Sequence, residues 1–69
     1  MPNTTSYLLQ KARMIEPFAS YLENCGITED AEIQKAARYH VENMKYIWRW
    51  DYATESEKKA MRDFVMRYC

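Results

Sequence analysis

The segment from Ala31 to Tyr52 carries apolar side chains on two opposite sides of one predicted helix. At about 100° per residue, one stripe gathers Ile33, Ala37, Val41, Met44, Ile47 and Trp48. Tyr39, Tyr46 and Trp50 fall roughly 180° away from that stripe. A chain of 69 residues has room for one of these faces in its core. The other face is therefore expected to meet solvent or another protein chain.

The length of the chain limits the core that it can build. A domain of about 60 residues buries only about 60% of the surface that its unfolded chain exposes, and a second subunit is a common source of extra stability. Ten basic and ten acidic residues give a formal net charge of zero, so no overall field attracts nucleic acid or an anionic membrane. The sequence predicts a single domain that forms a homodimer and does not bind membranes, with direct nucleic-acid binding disfavoured.

Helical patterns dominate the chain. One glycine and two prolines leave few residues for turns, and apolar residues recur at spacings of three and four. These patterns predict an all-α fold, a helical hairpin with a short third helix, spanning about residues 5–25, 29–52 and 55–68. The short link at residues 52–54 also allows the third helix to continue the second with a bend.

Local signals mark the ends and interruptions of these helices. Pro17 predicts a kink or a short break near Glu16, and the apolar stripe continues in phase through it, which favours the kink. Gly26 suits the left-handed conformation that ends a helix. Thr28 is expected to cap the second helix. Thr54 and the glutamate three residues later predict a capping box for the third.

The outer aromatic face has two interpretations, which can coexist. In the first, the aromatic side chains complete the core of an intertwined or closely packed homodimer. In the second, they form a hot spot for a foreign protein, surrounded by charged side chains that include Lys35. The predicted partner-binding residues are Tyr39, Tyr46, Trp50, Arg38, Glu42 and Arg49.

The sequence offers little for catalysis or for a cofactor. His40 is the only histidine, and its place at the edge of the core stripe predicts a packed, hydrogen-bonded residue. Cys25 and Cys69 lack the spacing of zinc ligands or of a disulfide scaffold. Cys25 is expected to be a small side chain that fills apolar space. Since no disulfide scaffold is predicted, the expected setting is a reducing cytoplasm. One glycine cannot form a glycine-rich phosphate loop. We therefore predict a non-enzymatic protein without catalytic residues, metal or cofactor.

A short, neutral, helical chain with an aromatic face resembles the small inhibitors of host proteins that phages make early in infection. Its 69 residues, the hairpin pattern and the position of Tyr39 in the second helix are similar to the anti-quorum-sensing inhibitors of Pseudomonas phages. The resemblance covers the whole chain by size and pattern, and Tyr39 is the one interface residue that it carries over. It implies a helical homodimer in the host cytoplasm.

The same resemblance implies two partners. One is a LuxR-type quorum-sensing activator, which is kept from acting on DNA. The other is the type IV pilus assembly ATPase, whose loss of function removes pili and excludes further phages. Two other classes suit the same length and helicity: an Hha-like transcription or nucleoid modulator, and an anti-CRISPR protein. Association with a DNA-binding partner would indicate the former, and rescue of phage plating on an immune host the latter.

Overall fold

A computed structural model describes residues 7–69 of the chain, apart from the side chain of Trp48. Within residues 7–69, four α-helices follow one another: α1 (Tyr7–Ala12), α2 (Glu16–Cys25), α3 (Asp30–Glu42) and α4 (Glu55–Tyr68). Two short 3-10 helices, Met44–Tyr46 and Trp48–Tyr52, connect α3 to α4, and residues 44–52 are called the 3-10 segment below. Residues 7–69 contain no strand, so the all-α prediction is confirmed.

The predicted first helix is two helices separated by a short break. α1 ends at Ala12, and Ile15 has extended backbone before α2 begins at Glu16. Pro17 then lies in the first turn of α2, where its missing N–H costs no helical hydrogen bond. The prediction of a kink was therefore wrong, and the alternative of a short break was correct. The predicted start of this helix, near residue 5, lies outside the described residues.

Two of the three predicted caps are confirmed. Gly26 ends α2 with φ 67° and ψ 29°, and the Ile27 N–H donates to the carbonyl of Leu22 at 2.9 Å.

The capping box at the start of α4 is present as well. The N–H of Thr54 donates to Glu57 Oε1 at 2.9 Å, and the N–H of Glu57 donates to Thr54 Oγ1 at 3.1 Å. Thr28 does not cap α3, because that helix begins two residues later and has Glu29 at its N-cap.

The predicted second helix is too long by ten residues, since α3 ends at Glu42 rather than at residue 52. The cause lies at Asn43, whose side-chain Nδ2 donates to the carbonyl of Tyr39 at 3.0 Å, the same carbonyl that accepts the helical hydrogen bond from the Asn43 N–H. A side chain that binds the backbone locally competes with helix continuation. Beyond it, the aromatic and β-branched residues have low helix propensity, and Ile47 adopts extended backbone.

The core lies between α3 and the other helices. α3 packs against α1, α2 and α4, and α1 also contacts α4. The Phe18 ring of α2 meets the Phe64 ring of α4 edge-on at 5.9 Å. The buried apolar side chains are Leu8, Leu9, Ala12, Ile15, Phe18, Leu22, Ile33, Ala36, Ala37, Met44, Trp50, Met61 and Phe64.

Candidate protein-binding surface

Trp50 was predicted on the outer aromatic face, and that position is wrong. Its side chain is 1% exposed, and its Nε1 donates a hydrogen bond to His40 Nδ1 at 3.0 Å. The prediction assumed one unbroken helix through residue 52. Because the chain leaves the α-helix at Asn43, the rotation of 100° per residue no longer relates Trp50 to Tyr39, and the indole turns back into the core. Trp50 is thus no candidate for direct contact with a partner.

Tyr39 and Tyr46 do lie on the surface. Tyr39 is 53% exposed and Tyr46 is 76% exposed. Tyr39 projects from the last turns of α3, with the exposed residues Arg38 and Glu42 beside it on the same helix. Tyr46 belongs to the 3-10 segment, where Lys45 Nζ lies 5.3 Å from its ring centroid. The predicted residues are therefore presented by two different elements rather than by one helical face.

Tyr39 stands at the edge of a packed aromatic group that the sequence did not indicate. The Tyr39 ring meets the His40 ring edge-on at 6.1 Å, and the half-buried Tyr21 of α2 meets the same histidine at 4.5 Å. Partial burial raises the pKa of the Tyr21 phenol, and the neighbouring Cys25 thiol adds to that effect. We call Tyr21, Arg38, Tyr39 and Glu42 the Tyr39 surface.

His40 is enclosed under this surface. It is 1% exposed, and since its Nδ1 accepts from Trp50, the proton of the neutral ring sits on Nε2. That Nε2 is buried without a hydrogen-bond partner. Burial, followed by the nearby charge of Arg49, lowers the pKa of His40 to about 4. The prediction of a packed, hydrogen-bonded histidine is confirmed, and a neutral imidazole is expected at pH 7.

A groove separates α2 from the second half of the 3-10 segment. It has a volume of about 510 Å³, and Tyr52 at its border is 82% exposed. Of the predicted partner-binding residues, only the half-buried Arg49 lines it. Its lining residues are Glu16, Pro17, Ser20, Glu23, Asn24, Arg49, Tyr52, Ala53 and Glu57. The sequence did not indicate this groove, because it forms only where the 3-10 segment folds back against α2.

The described part of the chain shows few other features that bear on function. Cys25 is exposed, so its expected role as a small apolar filler is wrong. Cys69 is also an exposed free thiol. Within residues 7–69, no three histidine, cysteine or acidic residues converge as metal ligands. None of the helices in that range combines the length and the apolar character that crossing a membrane requires.

Comparisons of the chain with protein-family models, with curated proteins and with solved structures find no match.

Proposed function

We propose that this chain is a non-enzymatic protein that binds other proteins through the Tyr39 surface and blocks their action. The observation that carries the proposal is that the Tyr39 side chain, on α3, is 53% exposed. Tyrosine is enriched among the residues that contribute most to protein interfaces. Because Tyr39 is fixed on α3 against a packed histidine, little side-chain freedom is lost on binding.

The proposed targets follow from the resemblance to phage inhibitors of host proteins. They are a LuxR-type quorum-sensing activator and the type IV pilus assembly ATPase, bound in the host cytoplasm. Binding the first would keep it from DNA, and binding the second would remove pili and exclude further phages. The length of 69 residues, the helical fold and the exposed Tyr39 support this assignment.

The test compares two truncations of exposed side chains. Tyr39→Ala is expected to weaken binding to each purified target about tenfold or more, measured by isothermal titration calorimetry. Met66→Ala is the matched control, since Met66 is 82% exposed on α4, and it should bind as the native chain does. Far-ultraviolet circular dichroism checks that both variants keep their helices. Equal affinity of the native chain and Tyr39→Ala for both targets would refute the proposal.

The protein is further proposed to act as a homodimer. A second groove, of about 340 Å³, runs between α1 and α4, and Met14 at its border is 76% exposed. Its charged residues are Lys11, Asp63 and Arg67. Because both signs are present, a second copy related by a two-fold axis can place Asp63 of each chain near the cations of the other.

Analytical ultracentrifugation tests this dimer. Ala60 lines the groove and is exposed, so Ala60→Glu should place a larger, charged side chain between the two copies and yield monomers. Met66→Glu adds the same charge on α4 outside the groove and should leave the dimer intact. A monomeric native chain at millimolar concentration would contradict the proposal, as would an Ala60→Glu variant that dimerises normally.

A further inference from the structure

We propose that the groove between α2 and the 3-10 segment holds a cationic segment of a partner protein, with lysine or arginine side chains set against Glu16, Glu23 and Glu57. This inference deepens the proposed function and rests on it, since it names the chemistry of the partner next to the Tyr39 surface. It assigns a role to a groove in which only Arg49 belongs to the predicted binding residues.

The charge of the groove selects the kind of occupant. Three carboxylates and one guanidinium line it, which gives three negative charges against one positive charge, whereas the whole chain has a formal net charge of zero. Phosphate groups of nucleic acids and anionic lipids are repelled by such a lining. A two-fold contact between the grooves of two copies is disfavoured as well, because it would bring six carboxylates together. A cationic protein segment has the complementary charge.

The uncharged lining suits the rest of a lysine or arginine side chain. Pro17 and Ala53 offer apolar surface against which the methylene stem can lie while the charged end reaches a carboxylate. Tyr52 is 82% exposed and presents a ring for a cation–π contact. The volume of about 510 Å³ lies within the range of ordinary ligand sites, so the groove has space for more than one side chain.

Both walls of the groove are fixed before a partner arrives. α2 is anchored by Phe18 and Leu22, which are 0% and 2% exposed. On the opposite wall, Arg49 and Tyr52 belong to the helix whose Trp50 is held by His40. The Glu57 carboxylate accepts the Thr54 N–H at 2.9 Å, which sets its position at the groove border. A preformed lining loses little entropy when it binds.

The groove and the Tyr39 surface share α2. That helix directs Tyr21 towards His40 beneath Tyr39 and supplies Pro17 and Asn24 to the groove. A partner that crosses α2 can therefore contact the exposed tyrosine and place basic side chains in the groove during the same binding event.

The experiment uses the full chain and two fluorescently labelled model helices. One peptide is an amphipathic helix of leucine and lysine, and the other has glutamate in place of every lysine. Fluorescence anisotropy should show binding of the lysine peptide alone, weakening as salt rises from about 0.05 M to about 0.5 M because the charges are exposed. The double variant Glu16→Gln with Glu23→Gln should bind about tenfold more weakly, at roughly threefold per exposed charge pair.

A second double variant controls for overall charge. Glu32→Gln with Glu55→Gln removes two exposed carboxylates that do not line the groove, and it should bind as the native chain does. Equal weakening by both double variants would overturn the inference, as would equal binding of the two peptides. Neither result bears on capture of the purified targets through Tyr39, so failure of this inference and failure of the proposed function are distinguishable.

Discussion

Acidification should destabilise the fold through one residue, His40. Its folded-state pKa of about 4 lies below the ordinary value of 6.5, so between these values the unfolded chain binds a proton that the folded chain does not. The free energy of unfolding must then decrease as the pH falls from about 6.5 to about 4. Because the two pKa values differ by about 2.5 and each factor of ten in proton affinity corresponds to about 1.36 kcal/mol, the free energy of unfolding decreases by about 3 kcal/mol.

The structure explains why the proton is excluded. A protonated ring would donate from Nδ1, where it now accepts from Trp50 Nε1, and that hydrogen bond would be lost. Phe18 and Tyr21 of α2 and Tyr39 of α3 meet the ring without offering a carboxylate, and Arg49 of the 3-10 segment opposes a positive charge. A loss of about 3 kcal/mol is a large fraction of the stability of so small a domain.

Urea denaturation followed by circular dichroism at several pH values measures this loss. His40→Gln is the control, because its amide oxygen can accept the Trp50 hydrogen bond but does not titrate. The carboxylates that also titrate at low pH are common to both proteins, so the difference between the two stability curves isolates His40. Since the chain has one histidine, a proton NMR titration of its ring gives the pKa directly. Parallel curves, or a ring that titrates near pH 6.5, would refute the reasoning.

Three further changes test the packing and the caps, each by the free energy of unfolding in urea. Trp50→Phe should cost about 1–3 kcal/mol or more, because His40 Nδ1 loses its buried donor; a cost near zero would contradict the importance of that bond. Gly26→Ala should cost about 1 kcal/mol through the positive φ of 67° alone, since an added Cβ meets no atom within 4 Å, and Gly26→Asn should cost less. Thr54→Ala should remove about 1 kcal/mol, whereas Ser56→Ala in the same turn should have little effect.

Features encoded by neighbouring residues were predictable from the sequence. The Gly26 N–H donates to the carbonyl of Glu23, three residues earlier. Thr54 and Glu57 are also three residues apart, and the structure confirms both helix ends. Tyr39 lies inside the uninterrupted part of α3, so its outward position followed from the helical period and was correct. The burial of Phe18 was not predicted from the sequence, because the break before α2 changes which positions of that helix face the core.

Features that depend on the end of α3 were not predictable. Asn43 ends the helix with a side-chain hydrogen bond to the Tyr39 carbonyl, and helix propensities, which differ by only a few tenths of a kcal/mol per residue, do not predict this. Once the helix ended there, the burial of Trp50, the exposure of Tyr52 and the groove against α2 all depended on the direction of the 3-10 segment. That direction is set by tertiary packing, which a helical wheel does not contain.

The burial of a single indole has a consequence for any scanning mutagenesis of this protein. Trp50 fixes the 3-10 segment, which carries both Tyr46 and Arg49. Replacing Trp50 would therefore displace both of these residues, although no partner touches the tryptophan. A Trp50 variant that loses binding would thus look as if it had lost a direct contact with the partner, although it would have lost only the support for residues that make such contacts. Double-mutant cycles against residues of the ligand separate the two, because an indirect effect gives no specific coupling energy.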